Sequence, residues 1–323
     1  MAGWIGQSSA VGWRWTEWVT LIGSGVVLAL VVFTQPETHA PTLLRWRAHH
    51  LRSLTRDKRF VSQSEIGQEP FLARLGQALW RPVVLTIHEP VIVLITLYMT
   101  VVYIVLFTFL IGYDFIFGET YGVSQGVTGT CFAGIIVGVV ASLGIIPLMC
   151  RWGTRDLQAI KERGGDRLPP EFRLWFCMLG GALAIPVSLF WMGWTARSNI
   201  SIWSPLAASV LFGYGILCVF VTCYQYIIDM YEVYAASALT SMTLIRYIAA
   251  GGMTIAGKWV SLLSLEVGVL TNESGLPIYE NLGVAYTLTI MGSVSAALVP
   301  VPYLFYIYGP TIRSKSKYAA KNN

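Results

Sequence analysis

Two charged side chains fall in or beside long apolar segments, where an isolated charge is costly. Arg246 lies well inside the apolar segment 235–257, and Asp229 lies at the end of the segment before it. A charged group inside a membrane is a functional candidate by default, because it needs a partner there. We interpret the two residues as candidates for an ion pair that breaks and reforms as a gate. A structural salt bridge, or an arginine whose charge reaches the membrane surface, would explain the same pattern.

Four uncharged polar side chains in the apolar segments could contact a solute. Tyr98 and Tyr103 are five residues apart, so on a helix they diverge by roughly 140° and cannot both face one cavity squarely. A tyrosine ring can stack on an amphiphilic molecule, and its hydroxyl can form a hydrogen bond. Gln225 and Tyr226, near the end of the segment 202–228, are weaker candidates for the same pathway.

Enzymatic chemistry finds little support in the sequence. It contains no H-E-x-x-H, no G-x-S-x-G and no phosphate-binding glycine loop. The four histidines lie in or beside the stretch 35–89, and the five cysteines have apolar neighbours without metal-ligand spacing. We therefore predict no catalytic residue, no metal site and no cofactor, and we expect the cysteines to be buried.

Composition places the chain in a lipid bilayer. Of its 323 residues, 55% are hydrophobic and only 12% are charged, well outside the range of soluble domains. This excludes a cytosolic enzyme, a nucleic-acid-binding protein and a disulfide-stabilised secreted domain. We predict an all-α polytopic membrane protein, since seven apolar segments approach the length of about 20 residues that a spanning helix needs. These segments are 17–34, 90–112, 126–150, 174–194, 202–228, 235–257 and 284–308.

Positive charge predicts the orientation. Most Lys and Arg residues lie in 35–89, in 151–173 and in the tail after 308, and these stretches share one side if the seven segments alternate. The positive-inside rule assigns that side to the cytoplasm, so the N-terminus is expected outside and the C-terminus inside. The N-x-S sequons at Asn199 and Asn272 fall on the outer side and are glycosylation candidates.

The long polar stretch 35–89 divides the chain into one apolar segment before it and six after it. We interpret it as a linker with at most a short surface helix over 48–56 that lies on anionic lipid. Six-helix halves joined by a cytoplasmic linker are typical of carriers that work by alternating access. The boundaries that follow are 1–37 for the last helix of a first half, 38–89 for the central loop and 90–323 for a complete second half.

Seven short motifs, in order along nearly the whole chain, resemble fungal major facilitator superfamily transporters of the drug:proton antiporter type. They are GWRWTEW at 12–18, QPETHAP at 35–41, HEP at 88–90, LPPEFRL at 168–174, FWMGWT at 190–195, YIIDMY at 226–231 and VPVPYLFY at 299–306. By this resemblance the seven segments correspond to helices six to twelve of the family.

The resemblance implies a carrier that exports small organic molecules in exchange for protons across the plasma membrane. Fungal metabolites, drugs and polyamines are the expected substrates. It also implies that Arg151, Arg155 and Asp156 occupy the position of a weakened copy of a cytoplasmic gating motif; plain positive-inside topology explains the same charges.

Two departures from the family pattern affect this interpretation. Helices one to five have no counterpart, so the chain is expected to need a missing half or a partner chain, or to be inactive alone. The stretch 258–274 looks inserted, and we hypothesise that it is a translated intron. Gly257-Lys258-Trp259 is compatible with codons that contain a GTAAGT donor, and Leu270-Thr271-Asn272 with codons that contain a CTAAC branch site.

Two other classes of membrane protein remain as alternatives. A degenerate transporter that serves only as a membrane scaffold would have the same composition and topology. A seven-helix receptor or photoreceptor fits the orientation, but retinal chemistry needs a lysine in the last helix, and 284–308 contains none.

Overall fold

The computed structural model describes residues 2–7, 12, 14–62, 65, 71–162, 164–165, 168–264, 277–316 and 318. The chain forms two compact units. One unit consists of Ser8–Arg81, and the other consists of Met1–Gln7 together with Pro82–Asn323.

The smaller unit contains one apolar helix and shorter amphipathic ones. Its helices are α2 (Arg14–Thr34), α3 (Ala40–Thr55) and the first part of α4 (Phe71–His88). At 21 residues α2 is about 32 Å long, which matches the hydrocarbon thickness of a bilayer. None of its side chains is buried, as expected for a helix whose surroundings are lipid.

Within the described residues, the stretch 35–89 contains two helices, which is more helix than the one short surface helix predicted over 48–56. Helix α3 begins at Ala40, with Pro41 in its first turn, and ends at Thr55, after which Arg56 adopts a left-handed conformation with φ 54°. Helix α4 places Leu72, Leu75, Leu79, Val83 and Ile87 three to four residues apart, which is a helical repeat.

Glu65, which lies between α3 and α4 in the sequence, forms ion pairs with two arginines of α3. Its carboxylate accepts a hydrogen bond from Arg52 Nη2 at 2.9 Å, and Arg45 Nε lies 3.8 Å away. The hydrogen bond from Arg52 lowers the pKa of the Glu65 carboxyl below its ordinary value, with smaller contributions from the backbone of Ser62 and from Arg45.

The larger unit is a bundle of helices. Its longest helices are α5 (Pro90–Tyr113), continued by a π-helix over Asp114–Thr120, then α11 (Trp203–Tyr231) and α12 (Ala235–Ser264). The others are α1 (Ala2–Gln7), α6 (Gln125–Cys131), α7 (Ala133–Leu143), α8 (Ile146–Glu162), α9 (Trp175–Met178), α10 (Gly181–Thr195), α13 (Pro277–Leu298) and α14 (Pro300–Lys315). A 3₁₀ turn over Pro170–Leu174 precedes α9.

Six helical stretches of the described chain are long and apolar enough to cross a membrane. They are Arg14–Thr34, Pro90–Thr120, Gln125–Glu162, Pro170–Thr195, Trp203–Tyr231 and Leu282–Ser314. All six coincide with predicted segments. The seventh segment, 235–257, lies in the continuous 30-residue helix α12, whose apolar character is reduced by Arg246 and several Ser and Thr residues. Helix α12 extends to Ser264, and most of the proposed intron, with Asn272, lies outside the described residues.

Glycine allows the closest helix contacts in the bundle. Gly138 on α7 lies against the backbone of Val210 on α11, and Gly134 lies against Ser209. A Cβ on Gly181 would lie 2.5 Å from Cys218 Cβ. By contrast, a Cβ on Gly251 or Gly252 would meet no described atom within 4 Å.

Polar contacts mark the two ends of this unit. At one end, which we call the basic end, Arg173 contacts Asp229, Arg313 contacts Glu171, and Tyr231 contacts Glu89. At the other end the Tyr121 hydroxyl donates a hydrogen bond to the Thr195 carbonyl at 3.3 Å.

Candidate functional site

Arg246 lies inside a cage of aromatic rings built by three helices. Its Cζ atom is 4.7 Å from the ring centroid of Tyr103 on α5, 5.4 Å from that of Phe220 and 5.7 Å from that of Tyr224 on α11. The ring of Tyr247, its neighbour on α12, is 5.4 Å away. The rings stabilise the guanidinium through cation–π interactions, which grow stronger away from water. We call these four rings with Arg246 the arginine cage.

The arginine cage leaves part of the guanidinium without a hydrogen-bond partner. Arg246 is only 4% exposed, and its Nη2 donates to the Tyr224 hydroxyl at 2.8 Å. Its Nε and Nη1 are buried and have no acceptor among the described residues. Two nitrogen atoms with three N–H groups thus lack an acceptor on a permanently charged side chain, which is unusual for a buried site.

The predicted pairing of Asp229 with Arg246 is not what the structure has. Asp229 Oδ2 accepts a hydrogen bond from Arg173 Nε at 2.6 Å, at the basic end. Both members of this pair are partly exposed, with side-chain exposures of 44% for Arg173 and 33% for Asp229. Arg173 belongs to the 3₁₀ turn before α9 and is 56 residues from Asp229 in the sequence, so the sequence did not suggest it as the partner of Asp229.

The predicted pathway residues lie in separate places. Tyr98 and Tyr226 are buried around a void of about 10 Å³, which is roughly room for one water molecule. Tyr103 belongs to the arginine cage, so the two tyrosines of α5 do face different surroundings, as their spacing predicts. Gln225 is exposed and lines a larger cavity at the basic end.

That larger cavity has a volume of about 450 Å³, within the range of small-molecule pockets. Helices α8 and α11 and the chain between 168 and 176 enclose it. Gln225, Thr154 and Arg173 contribute polar groups, and Cys150 contributes an exposed thiol. Its apolar lining consists of Ile146, Met149, Leu157, Leu168, Phe172, Phe176 and Val221.

Two buried carboxylates at the basic end escaped the sequence analysis. Glu171 is 4% exposed, lies 3.5 Å from Arg313 Nη1 and has no hydrogen-bond partner among the described residues. Glu89 is 1% exposed and accepts a hydrogen bond from the Tyr231 hydroxyl at 3.0 Å. Both belong to the family-like motifs HEP and LPPEFRL, which the sequence analysis quoted without assigning either carboxylate a role.

The remaining predicted residues lie on the surface. Arg151, Arg155 and Asp156, expected in a loop, are exposed on the helix α8 because the spanning helix continues beyond Cys150. Asn199 is exposed in the connection between α10 and α11. Of the five cysteines, four are buried as expected and Cys150 is exposed.

These features define a class of protein: an all-α, multi-pass membrane protein with buried charges and aromatic clusters among its helices. Residues 1–254 match the Major Facilitator Superfamily. The chain therefore belongs to this family of membrane transporters, as the sequence resemblance indicates.

Related proteins in fungi narrow the comparison. The chain is 46% identical to the MFS-type transporter kojT of Aspergillus flavus over 313 residues, 97% of this chain and 52% of that protein. It is 36% identical to the uncharacterized transporter mfs2 of Schizosaccharomyces pombe over 97% of this chain and 53% of that protein. The citrinin biosynthesis cluster MFS transporter mrr1 of Monascus ruber is 34% identical over 97% of this chain and 58% of its own length. The chain thus spans about half the length of these relatives. No solved structure matches.

Proposed function

We propose that this chain exports small organic molecules across the plasma membrane in exchange for protons. The observation that carries the proposal is membership of a transporter family, together with similarity to a transporter named for a citrinin biosynthesis cluster. Fungal metabolites and other amphiphilic molecules suit the apolar, aromatic surroundings of the arginine cage and of the cavity near Gln225.

We further propose that the bundle works with a second set of helices. Alternating access requires two halves that rock about a site near the middle of the membrane. The relatives are about twice as long as the matched region, which supports a requirement for helices beyond those described here. The central stretch 38–89 would then connect the two halves in the cytoplasm, with the basic end also facing the cytoplasm.

Transport in yeast that lacks its own drug exporters tests both points. The full chain would be expressed alone, and together with the part of kojT that lies outside its matched half. Export of rhodamine 6G from preloaded cells would be measured with and without a protonophore. We expect fast, protonophore-sensitive export with the pair and slow export with either part alone.

Two controls give the result its meaning. Fluorescence microscopy of a tagged chain must place it in the plasma membrane, and the kojT part expressed alone must leave export unchanged. If the correctly located pair exports none of several dyes of different charge, the chain is a membrane scaffold and not a carrier. If the protonophore does not change the rate of export, proton coupling would be refuted, but the proposal that the chain is an exporter would stand.

A further inference from the structure

The arginine cage contains a positive charge without a matching anion. Within the described residues, Arg246 has no carboxylate partner, because Asp229 is bound to Arg173 and Glu171 lies beside Arg313. Taking a charge out of water is expensive, and aromatic rings offset only part of that cost. A site of this kind gains most from a ligand that brings a negative charge.

The N–H groups of Arg246 that lack an acceptor also indicate which chemical group the site would bind. Nε has one free N–H and Nη1 has two, and each nitrogen can donate a charge-assisted hydrogen bond to an anionic oxygen such as that of a carboxylate. The flanking rings of Tyr103, Phe220 and Tyr224 favour a flat, unsaturated molecular body through stacking. The guanidinium of Arg246 can therefore bind the anionic group of a molecule while the adjacent rings stack on its aromatic part.

We propose that the arginine cage is a binding site for planar organic anions, and that Arg246 holds their carboxylate or equivalent oxyanion. This inference deepens the proposed transport function and names the substrate class. Tyr247 is the outer wall of the cage, with 56% of its surface exposed. Since the rings cover the guanidinium in this conformation, the ring of Tyr247 must swing away to admit the solute.

The same charge argues against polyamines as solutes of this half. A polyammonium ion would be repelled by Arg246, and the described carboxylates lie at the ends of the bundle and not in the cage. The positive charge of Arg246 would therefore favour the binding of organic anions and oppose the binding of polyamines.

Equilibrium binding to the purified full chain in detergent tests the site without requiring transport. The probes are 2-naphthoate and its neutral isostere 2-naphthamide, followed by fluorescence anisotropy. We expect naphthoate to bind at least about tenfold more tightly than the amide, a ratio within the range of a charge-assisted hydrogen-bonded pair. Arg246→Gln should abolish the preference, and Arg246→Lys should retain part of it.

Arg197 provides the matched control, because it also lies over an aromatic ring, 5.7 Å from Trp194, but is exposed. Arg197→Gln should leave the preference intact. Tyr247→Ala should speed the binding of naphthoate, because it removes a ring that covers the guanidinium, and it provides a second variant if Arg246→Gln fails to fold.

Equal binding of naphthoate and naphthamide by the unmodified chain would overturn the proposal. So would an undiminished preference in well-folded Arg246→Gln. A carboxylate from another polypeptide segment that neutralises Arg246 would produce the first of these results. The binding assay is independent of dye export, so failed transport with intact anion preference would refute the proposed function and leave this site standing.

Discussion

Gly138 on α7 and Val210 on α11 are in direct contact, with the glycine Cα against the backbone carbonyl of the valine. A Cβ at this position would overlap the carbonyl oxygen and would lie 2.8 Å from the backbone nitrogen of Tyr214. Backbone atoms cannot move aside as a flexible side chain can. The two helices therefore depend on the absence of a side chain at residue 138.

Gly138→Ala should lower the stability of the bundle by about 1–3 kcal/mol, the usual cost of overpacking a tight interface. The apparent melting temperature in detergent, followed by size-exclusion chromatography after heating, measures the effect. Gly251→Ala is the control, because a Cβ there meets open space and alanine favours the helix. Equal melting temperatures for the two variants would contradict the contact.

The ion pair of Glu171 and Arg313 should be needed for the stability of the basic end. Arg313→Met leaves a buried carboxylate without its cation, and we expect a loss of about 3 kcal/mol. The double variant Glu171→Gln with Arg313→Met should regain part of this loss, because it removes the stranded charge as well. The exposed Arg151→Met should change little, and an equally large effect there would argue against the pair.

Cys150 should be the first cysteine to react with maleimides, since the other four are buried. The proposed orientation places it at the cytoplasmic side. A membrane-impermeant maleimide should therefore label it only in permeabilised cells, whereas N-ethylmaleimide should label it in intact cells. Cys150→Ser should remove the signal. Labelling by the impermeant reagent in intact cells would reverse the orientation.

Arg52 should control the ionisation of Glu65. Because their hydrogen bond lowers the pKa of Glu65 in the folded chain, the ionised pair adds stability above the unfolded pKa of roughly 4.3. This stability disappears as the pH falls through the lower folded value. Arg52→Gln should raise the pKa of Glu65, as measured by carbon NMR of chain with labelled glutamate and assigned with Glu65→Gln. Arg45→Gln, farther away, should raise it less; the reverse order would be inconsistent with the structure.

Hydrophobicity predicts the spanning helices well, because a helix surrounded by lipid must be apolar along its whole length. It was less informative for 35–89, where α3 and α4 are amphipathic helices and neither was predicted over its whole length. It also ended the third segment at Cys150, although the basic residues beyond it continue the helix.

Side-chain partners were harder to predict. An ion pair between Asp229 and Arg246 was predicted because they carry opposite charges and lie in or beside consecutive segments. Their actual partners depend on how each helix is rotated about its axis, and sequence spacing alone does not determine this for neighbouring helices. Arg173 is 56 residues from Asp229, and the ring of Tyr103 belongs to yet another helix.

The contact between Tyr318 and Glu89 has a practical consequence for protein engineering. The backbone N–H of Tyr318 donates a hydrogen bond to the Glu89 carboxylate at 3.3 Å, so Tyr318 is bound to the residue that precedes α5. A reporter or affinity tag fused directly after Tyr318 would strain the hydrogen bond between Tyr318 and Glu89. Deleting the chain from 317 onward would remove one donor from a buried acid. A flexible spacer after the final residue is therefore the safer design for purification and imaging.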